Sequence, residues 1–254
     1  MRGFCILLCS YVLCLGSMHG QSAGSNHPAT PQPAQATDNF ERVGAAVKIS
    51  MLGIGVEGAA RVTRNTNVRA GFNALGYSRG FNKDGVDYSG HLEFRTFEAH
   101  FDVFPWAKSF HVSPGLVAYA GTPVTASAVV PGNQSFTLNS VQYYSDPTNL
   151  ATANGKISFN SVAPTVTAGW GNLVHRNHKH ISIPFEVGVV FQGSPKSALA
   201  IGGNVCTSPG VNCGSAANNP ALQQNIVGEQ NKINNSLTVF KYYPILSGGF
   251  GYTF

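Results

Sequence analysis

The stretch Phe250-Gly251-Tyr252-Thr253-Phe254 decides the fold. Phe250, Tyr252 and Phe254 share one face of an extended strand, and Gly249, Gly251 and Thr253 share the other, because successive strand side chains point to opposite sides. A soluble sheet buries such an aromatic face under other protein. In a transmembrane barrel lipid covers it, and aromatic side chains gather at the membrane interface.

Working outward, seven more segments alternate in the same way: 43–51, 54–63, 68–75, 97–103, 110–119, 156–173 with a bulge near Ser161, and 181–192. Short turns near Leu52–Gly53, Arg64–Asn67, Pro105–Ser109 and His175–His180 alternate, after the first, with longer connections at 79–90, 131–155 and one ending at Phe240. Short periplasmic turns and long extracellular loops are the rhythm of outer-membrane barrels. The sequence therefore predicts an all-β fold, an antiparallel up-and-down transmembrane β-barrel of eight strands. Ten strands stay open as an alternative, since 116–130 and 181–201 are long enough to rise above the membrane or fold over. Within the last connection, Asn219-Pro220 supplies an N-cap and a first-turn proline. Leu222, Ile226, Ile233 and Leu237 then recur at helical spacing, which predicts a helix over 220–237 that covers the barrel mouth or packs on its rim.

Arg2 and the apolar run Phe4–Leu15 read as a secretory signal peptide over residues 1–20, processed near Gly20–Ala23. Residues 21–39, rich in Pro, Ala, Thr and Gln, read as a disordered linker, and 40–254 as one barrel domain. Cys5, Cys9 and Cys14 depart with the signal. Cys206 and Cys213 remain, an even number in an exported chain, and are expected to form a disulfide. No apolar run reaches the length of a transmembrane helix. Charged residues are only 11% of the chain, too few for an ordinary water-facing surface, against 29 glycines. The +5 net charge is scattered, which excludes a nucleic-acid patch.

Strand charges collect on the small-residue face: Lys48, Arg61 and Arg69 against Glu57, Glu98, Asp102 and Glu186, with His100 and His111. On the lipid face an Arg or Lys costs about 2–4 kcal/mol at mid-bilayer, so these groups belong inside. An eight-stranded barrel has room there for side chains and scarcely for a channel. The expectation is a charge-plugged lumen and a structural or surface-interaction role, with no cofactor, metal or catalytic residue. The alternative is a narrow diffusion pore for small solutes or ions, and behind it a membrane-embedded lipid-modifying enzyme using His100, Asp102 and Ser113. His175, His178 and His180 have metal-binding chemistry but no acidic neighbour in their turn. Trp106 and Trp170, at strand ends beside short turns, read as the periplasmic aromatic girdle.

The alternating strands, the charged small face and the terminal Gly251-Tyr252-Thr253-Phe254 resemble the small outer-membrane barrels of the OmpA/OmpX-like superfamily over residues 40–254. Segments 101–105 (Phe-Asp-Val-Phe-Pro), 111–115 (His-Val-Ser-Pro-Gly) and 190–195 (Val-Phe-Gln-Gly-Ser-Pro) also resemble Gram-negative, proteobacterial-type barrels without an assigned activity. No peptidoglycan-binding domain is matched. The resemblance implies a monomer in the bacterial outer membrane, with outer-membrane lipid around it and the barrel-assembly machinery as a partner through the C-terminal strand. It names no extracellular ligand.

Overall fold

A computed structural model describes residues 43–254, apart from 84, 107–108, 122–123 and 176–178 and the side chain of Lys83. The expected signal peptide and linker lie outside the described residues. β1 (Val43–Ser50) and β2 (Gly53–Arg61) meet at the two-residue turn Met51–Leu52. Gly53 leaves that turn at φ +118°, a backbone region that side chains disfavour. β3 (Thr66–Lys83) and β4 (Val86–Val103) form an 18-residue hairpin, followed by β5 (Phe110–Tyr119). Next come β6 (Val124–Val129), β7 (Ser135–Leu138), β8 (Val141–Ser145) and β9 (Thr152–Ser158). β10 (Val162–Trp170), β11 (Ile181–Ser182), β12 (Phe185–Val190), β13 (Lys196–Gly202), β14 (Asn204–Cys206) and β15 (Gly214–Ser215) follow. The helix α1 (Pro220–Leu237) and the closing strand β16 (Tyr243–Thr253) complete the chain.

Eight antiparallel ladders close a ring in the order β1–β2–β3–β4–β5–β10–β12–β16 and back to β1. β11 adds two residues against β16. Closure pairs every strand edge, which a bilayer demands because its interior offers no water to unsatisfied backbone groups. Burial alternates along the strands: Lys48, Glu57, Arg69 and Glu98 turn inward, whereas Val47, Ile49, Ile54, Val56, Phe97 and Phe101 are exposed. No described helix is long and apolar enough to cross a membrane.

Two expected loops are more ordered than the sequence predicts, and one expected strand is divided. The connection at 79–90 is a continuation of the β3–β4 ladder, in register from Thr66↔Val103 to Lys83↔Val86. The segment 131–155 holds β7, β8 and the start of β9. The single bulged strand expected over 156–173 is two strands, and β9 leaves the barrel to lie between β6 and β13. Above the ring, β4 continues through Asp87–Leu92 onto β6, then β9, then β13. A second sheet, β15–β14–β8–β7, lies beside it.

These strands and α1 make a lobe with its own apolar core, which includes Val86, Leu138, Tyr143, Ile201, Leu222 and Ile226. Asn219 Oδ1 caps α1 by accepting from the Leu222 amide at 3.0 Å, with Pro220 at the first turn. The helix packs on β13 and β7, which settles its place in the lobe. Asn225 Nδ2 donates to the Tyr143 hydroxyl at 2.8 Å, and the Asn139 amide donates to Glu229 at 2.9 Å.

Cys206 and Cys213 are joined by a disulfide that closes a short loop of the lobe. Closing so short a loop stabilises by about 2–3 kcal/mol in the chain-entropy description. Thiol labelling of the unreduced protein is expected to mark neither Cys206 nor Cys213. Cys206→Ser with Cys213→Ser is expected to make the lobe more sensitive to protease while the barrel stays heat-modifiable on gels. Labelling of both thiols in folded protein would contradict the bridge.

Candidate functional site

Inside the ring, two cations and four carboxylates from five strands meet in one buried layer. Arg69 on β3 is the centre. Its Nη1 lies 3.2 Å from Glu57 Oε2 on β2, and its Nη2 lies 3.1 Å from Asp102 Oδ1 on β4 and also bonds Glu186 on β12. Lys48 on β1 bridges Glu57 at 3.1 Å and Glu98 at 2.6 Å. His111 Nε2 reaches Glu186 at 2.8 Å, and His100 Nε2 reaches Glu98 at 3.3 Å. Asn73 donates to Glu98 and, at 3.1 Å, to Thr96; the Ser113 hydroxyl donates to Asp102 at 2.6 Å. The charged side chains of the layer are each about 5% exposed or less. At that burial an unpaired ion costs several kcal/mol, so the geometry of pairing decides whether the interior is tolerable. Four carboxylates outnumber the two fixed cations, and His100 and His111 each add a hydrogen bond to one of the carboxylates.

Room for these long side chains comes from glycines directly across the ladder. Lys48 faces Gly249 and Gly55, Glu57 and Glu98 flank Gly71, His100 faces Gly115, and Gly169 sits between Glu186 and His111. A Cβ at Gly115 would lie 2.6 Å from His100 Nδ1, and one at Gly169 would lie 2.8 Å from Glu186 Cγ. The small residues of the inward face are thus matched one by one to the large charged ones. Alternation predicts which face they share, but not this pairing, because it requires the register.

Apolar layers bound the charges on both sides. Towards the lobe, Leu52, Val117, Ala163, Val190 and Ile245 form a buried cluster with Tyr119 and Tyr243 packed on it. Phe94 and Phe159 extend it, with ring centroids 5.6–6.3 Å apart among these aromatics. The Tyr119 hydroxyl donates to Gln192 Oε1 at 2.8 Å, and Gln192 Nε2 donates to the Phe240 carbonyl at 2.8 Å. At the turn end, Leu173 and Val174 fold inward onto Ala46 and Ala59. Asn172 beside them accepts from Asn67 Nδ2 and from the Val174 amide, both at 3.0 Å. Sequence reasoning misses Leu173, Val174 and Phe159 as interior residues because one strand is expected over 156–173, whereas β9 ends at Ser158, before Phe159, and β10 ends at Trp170, before Leu173.

The other candidate residues fall as follows. Arg61 closes β2 at the turn and is only partly buried. Ser113 bonds Asp102 while His100 bonds Glu98, so among the described residues His100 does not link Ser113 to Asp102 as a triad base would. His175 and His180 bond backbone carbonyls of Ile181 and Thr253, at 2.8 and 3.0 Å, and His178 lies outside the described residues. Asp102, His111 and Glu186 have metal-ligand chemistry at close range, but Arg69 already stands between the two carboxylates. On the outer wall Trp106, Phe110 and Trp170 stack in a row at 5.3–5.6 Å, and Tyr252 contacts Phe254 at 5.2 Å. Trp106, Trp170, Tyr252 and Phe254 are exposed at the turn end, and Phe110 is half-buried.

No protein-family description matches the chain, and no curated protein matches it. Solved structures do, among them crystal structures of Acinetobacter baumannii CarO and CarO2, with TM-scores of 0.51 and 0.52. Each is 19% identical and covers 84% of this chain and 98% of its own. At that identity the likeness is one of fold. The architecture is a closed eight-stranded antiparallel barrel, and its apolar outer belt fits the bacterial outer membrane.

Breaking one partner of a buried ion pair costs about 3–5 kcal/mol. Glu57→Ala and Arg69→Ala are each expected to lower resistance to urea unfolding by that order. Lys232→Ala, which removes a half-exposed surface pair at 3.7 Å, is expected to change it by less than about 1 kcal/mol. Gly115→Val, which forces the wall apart at His100, is expected to cost about 1–3 kcal/mol by overpacking. Equal stability of all four variants would contradict the pairing.

Proposed function

We propose that this outer-membrane barrel works with its lumen closed. In this reading the charged layer is a structural plug, and the lobe, held outside the cell, carries the interactions of the protein. The observation behind the reading is the Arg69 guanidinium, shared by carboxylates from three other strands in a layer with almost no solvent exposure. A water-filled pore solvates its lining charges individually, whereas here each cation is paired directly with carboxylates. The apolar clusters above and below the layer favour the same conclusion, since each would have to part before an ion reached the charges. The lobe supports an interaction role because its separate core and its disulfide hold a defined surface rather than a set of loops. Long connections on the outside and short turns on the periplasmic side are the usual orientation of such barrels.

Planar-bilayer recording tests the reading. Purified wild-type protein is expected to give no unitary conductance steps, and so is the Glu57→Gln variant, which keeps the shape of the layer. Regular single-channel openings whose ion selectivity changes in Glu57→Gln would overturn it in favour of the narrow diffusion pore.

A further inference from the structure

The outward wall of β3 and β4 changes chemistry as it climbs. On β3 the outward side chains are Val68, Ala70, Phe72 and Ala74, and then Gly76 and Ser78; on β4 they are Phe101, Ala99 and Phe97, and then Arg95, Glu93 and His91. The apolar belt therefore ends at the pair Ala74↔Arg95, and Ser78↔His91 lies four residues beyond it. At about 3.4 Å per residue that is roughly 13 Å along the strand, or about 10 Å in height for a strand tilted by about 40°. At this height β6, β9 and β13 widen the same wall. Two rows of side chains cross it, His91–Thr125–Lys156–Ala198 and Ser89–Ser127–Asn154–Ala200.

The rows, Ser89 apart, line a concavity of about 580 Å³. Its polar groups are the His91 imidazole, the Thr125 and Ser127 hydroxyls, the Asn154 amide and the Lys156 ammonium, over a floor that includes Ala200. His91 is held by Ser78 at 2.8 Å and Ser89 at 3.2 Å. Thr125, Ser127, Asn154 and Lys156 make no side-chain hydrogen bond or ion pair with another described residue, so their bonding capacity faces outward. The opposite face of this sheet is covered: Ala128, Leu199 and Ile201 pack in the lobe core that Leu222 and Ile226 of α1 also fill.

We propose that this face binds the phosphorylated saccharide headgroup of an outer-leaflet glycolipid. The inference rests on the reading that the lobe lies outside the cell. Its position commits it to a membrane lipid, because the face continues the lipid-contacting wall into the layer that headgroups occupy. Its chemistry suits a phosphorylated sugar: an ammonium for phosphate, hydroxyls and an amide for ring hydroxyls, and a small-residue floor that lets a ring approach the sheet. A protein partner would be expected to find an aromatic or large aliphatic anchor here, and none of the side chains in the two rows is one.

The test titrates full-length protein, folded in detergent, with purified phosphorylated lipopolysaccharide, with the same glycolipid after dephosphorylation, and with phosphatidylglycerol. Wild type is expected to bind the phosphorylated glycolipid best, and Lys156→Glu to bind it about tenfold or more weakly while remaining heat-modifiable. Lys232→Glu, on α1, is expected to match wild type. Equal binding by Lys156→Glu and wild type would overturn the proposal, as would binding of phosphatidylglycerol as tight as that of the glycolipid. A Lys232→Cys variant, altered on the lobe outside the site, labelled on intact cells with an impermeant maleimide separates the two claims. Labelling without glycolipid binding refutes only the headgroup site, and no labelling of folded protein refutes the external orientation and the site with it.

Discussion

A guanidinium buried among carboxylates is the constraint on which this barrel depends. Eight strands enclose a space too narrow for bulk water and lined, on every second position, by whatever the lipid cannot accept. Four carboxylates in that space would repel one another and lose their hydration. Arg69 holds three of them, Lys48 holds the fourth and shares Glu57, and the two imidazoles sit on Glu98 and Glu186. Because these residues come from β1, β2, β3, β4, β5 and β12, the layer ties most of the ring to itself across its diameter. The glycines opposite the charged residues are the other half of the same constraint, since a Cβ at Gly115 or Gly169 would occupy space that His100 or Glu186 already fills.

The wall and the interior solve different problems with one period of two. Outward positions meet hydrocarbon and are mostly Val, Ile, Leu, Phe or Ala; inward positions meet other side chains and carry the polar groups. Beyond the belt that division changes meaning. The inward side of the β3–β4 extension becomes the packed side of the lobe, where Val86 joins the core with Ile201 and Leu222. The outward side turns polar, with His91 and Lys156, and stays uncovered. One long hairpin thus carries the barrel wall out of the membrane and frames the lobe on it.

Much of the ring was legible in the sequence, because lipid on one side and packed polar groups on the other impose strict alternation on segments such as Val43–Ser50 and Tyr243–Thr253. The helix was legible too, since Asn219-Pro220 and the spacing of Leu222 and Ile226 carry local signals. The lobe strands were not. Segments such as Thr152–Ser158 place small or polar residues on both faces, and their partners lie on β6 and β13, far along the chain. At the charged layer, residue types and their common face were readable from Lys48, Glu57, Arg69 and Glu98. Which carboxylate meets which cation was not, because Arg69 and Glu186 are 117 residues apart and meet only through barrel closure. The burial of Leu173 and Val174 was equally hidden, as nothing in a turn announces that it folds back inside.

The measurement closest to the central claim is a double-mutant cycle on Lys48 and Glu98, the closest pair for which the ammonium lies 2.6 Å from its carboxylate. Unfolding free energies of Lys48→Met, Glu98→Gln and the double variant in lipid vesicles isolate the coupling between the two side chains. A layer of directly paired, water-excluded charges requires a coupling of about 1–3 kcal/mol. A coupling indistinguishable from zero, the result for two charges each solvated in an open lumen, would contradict it.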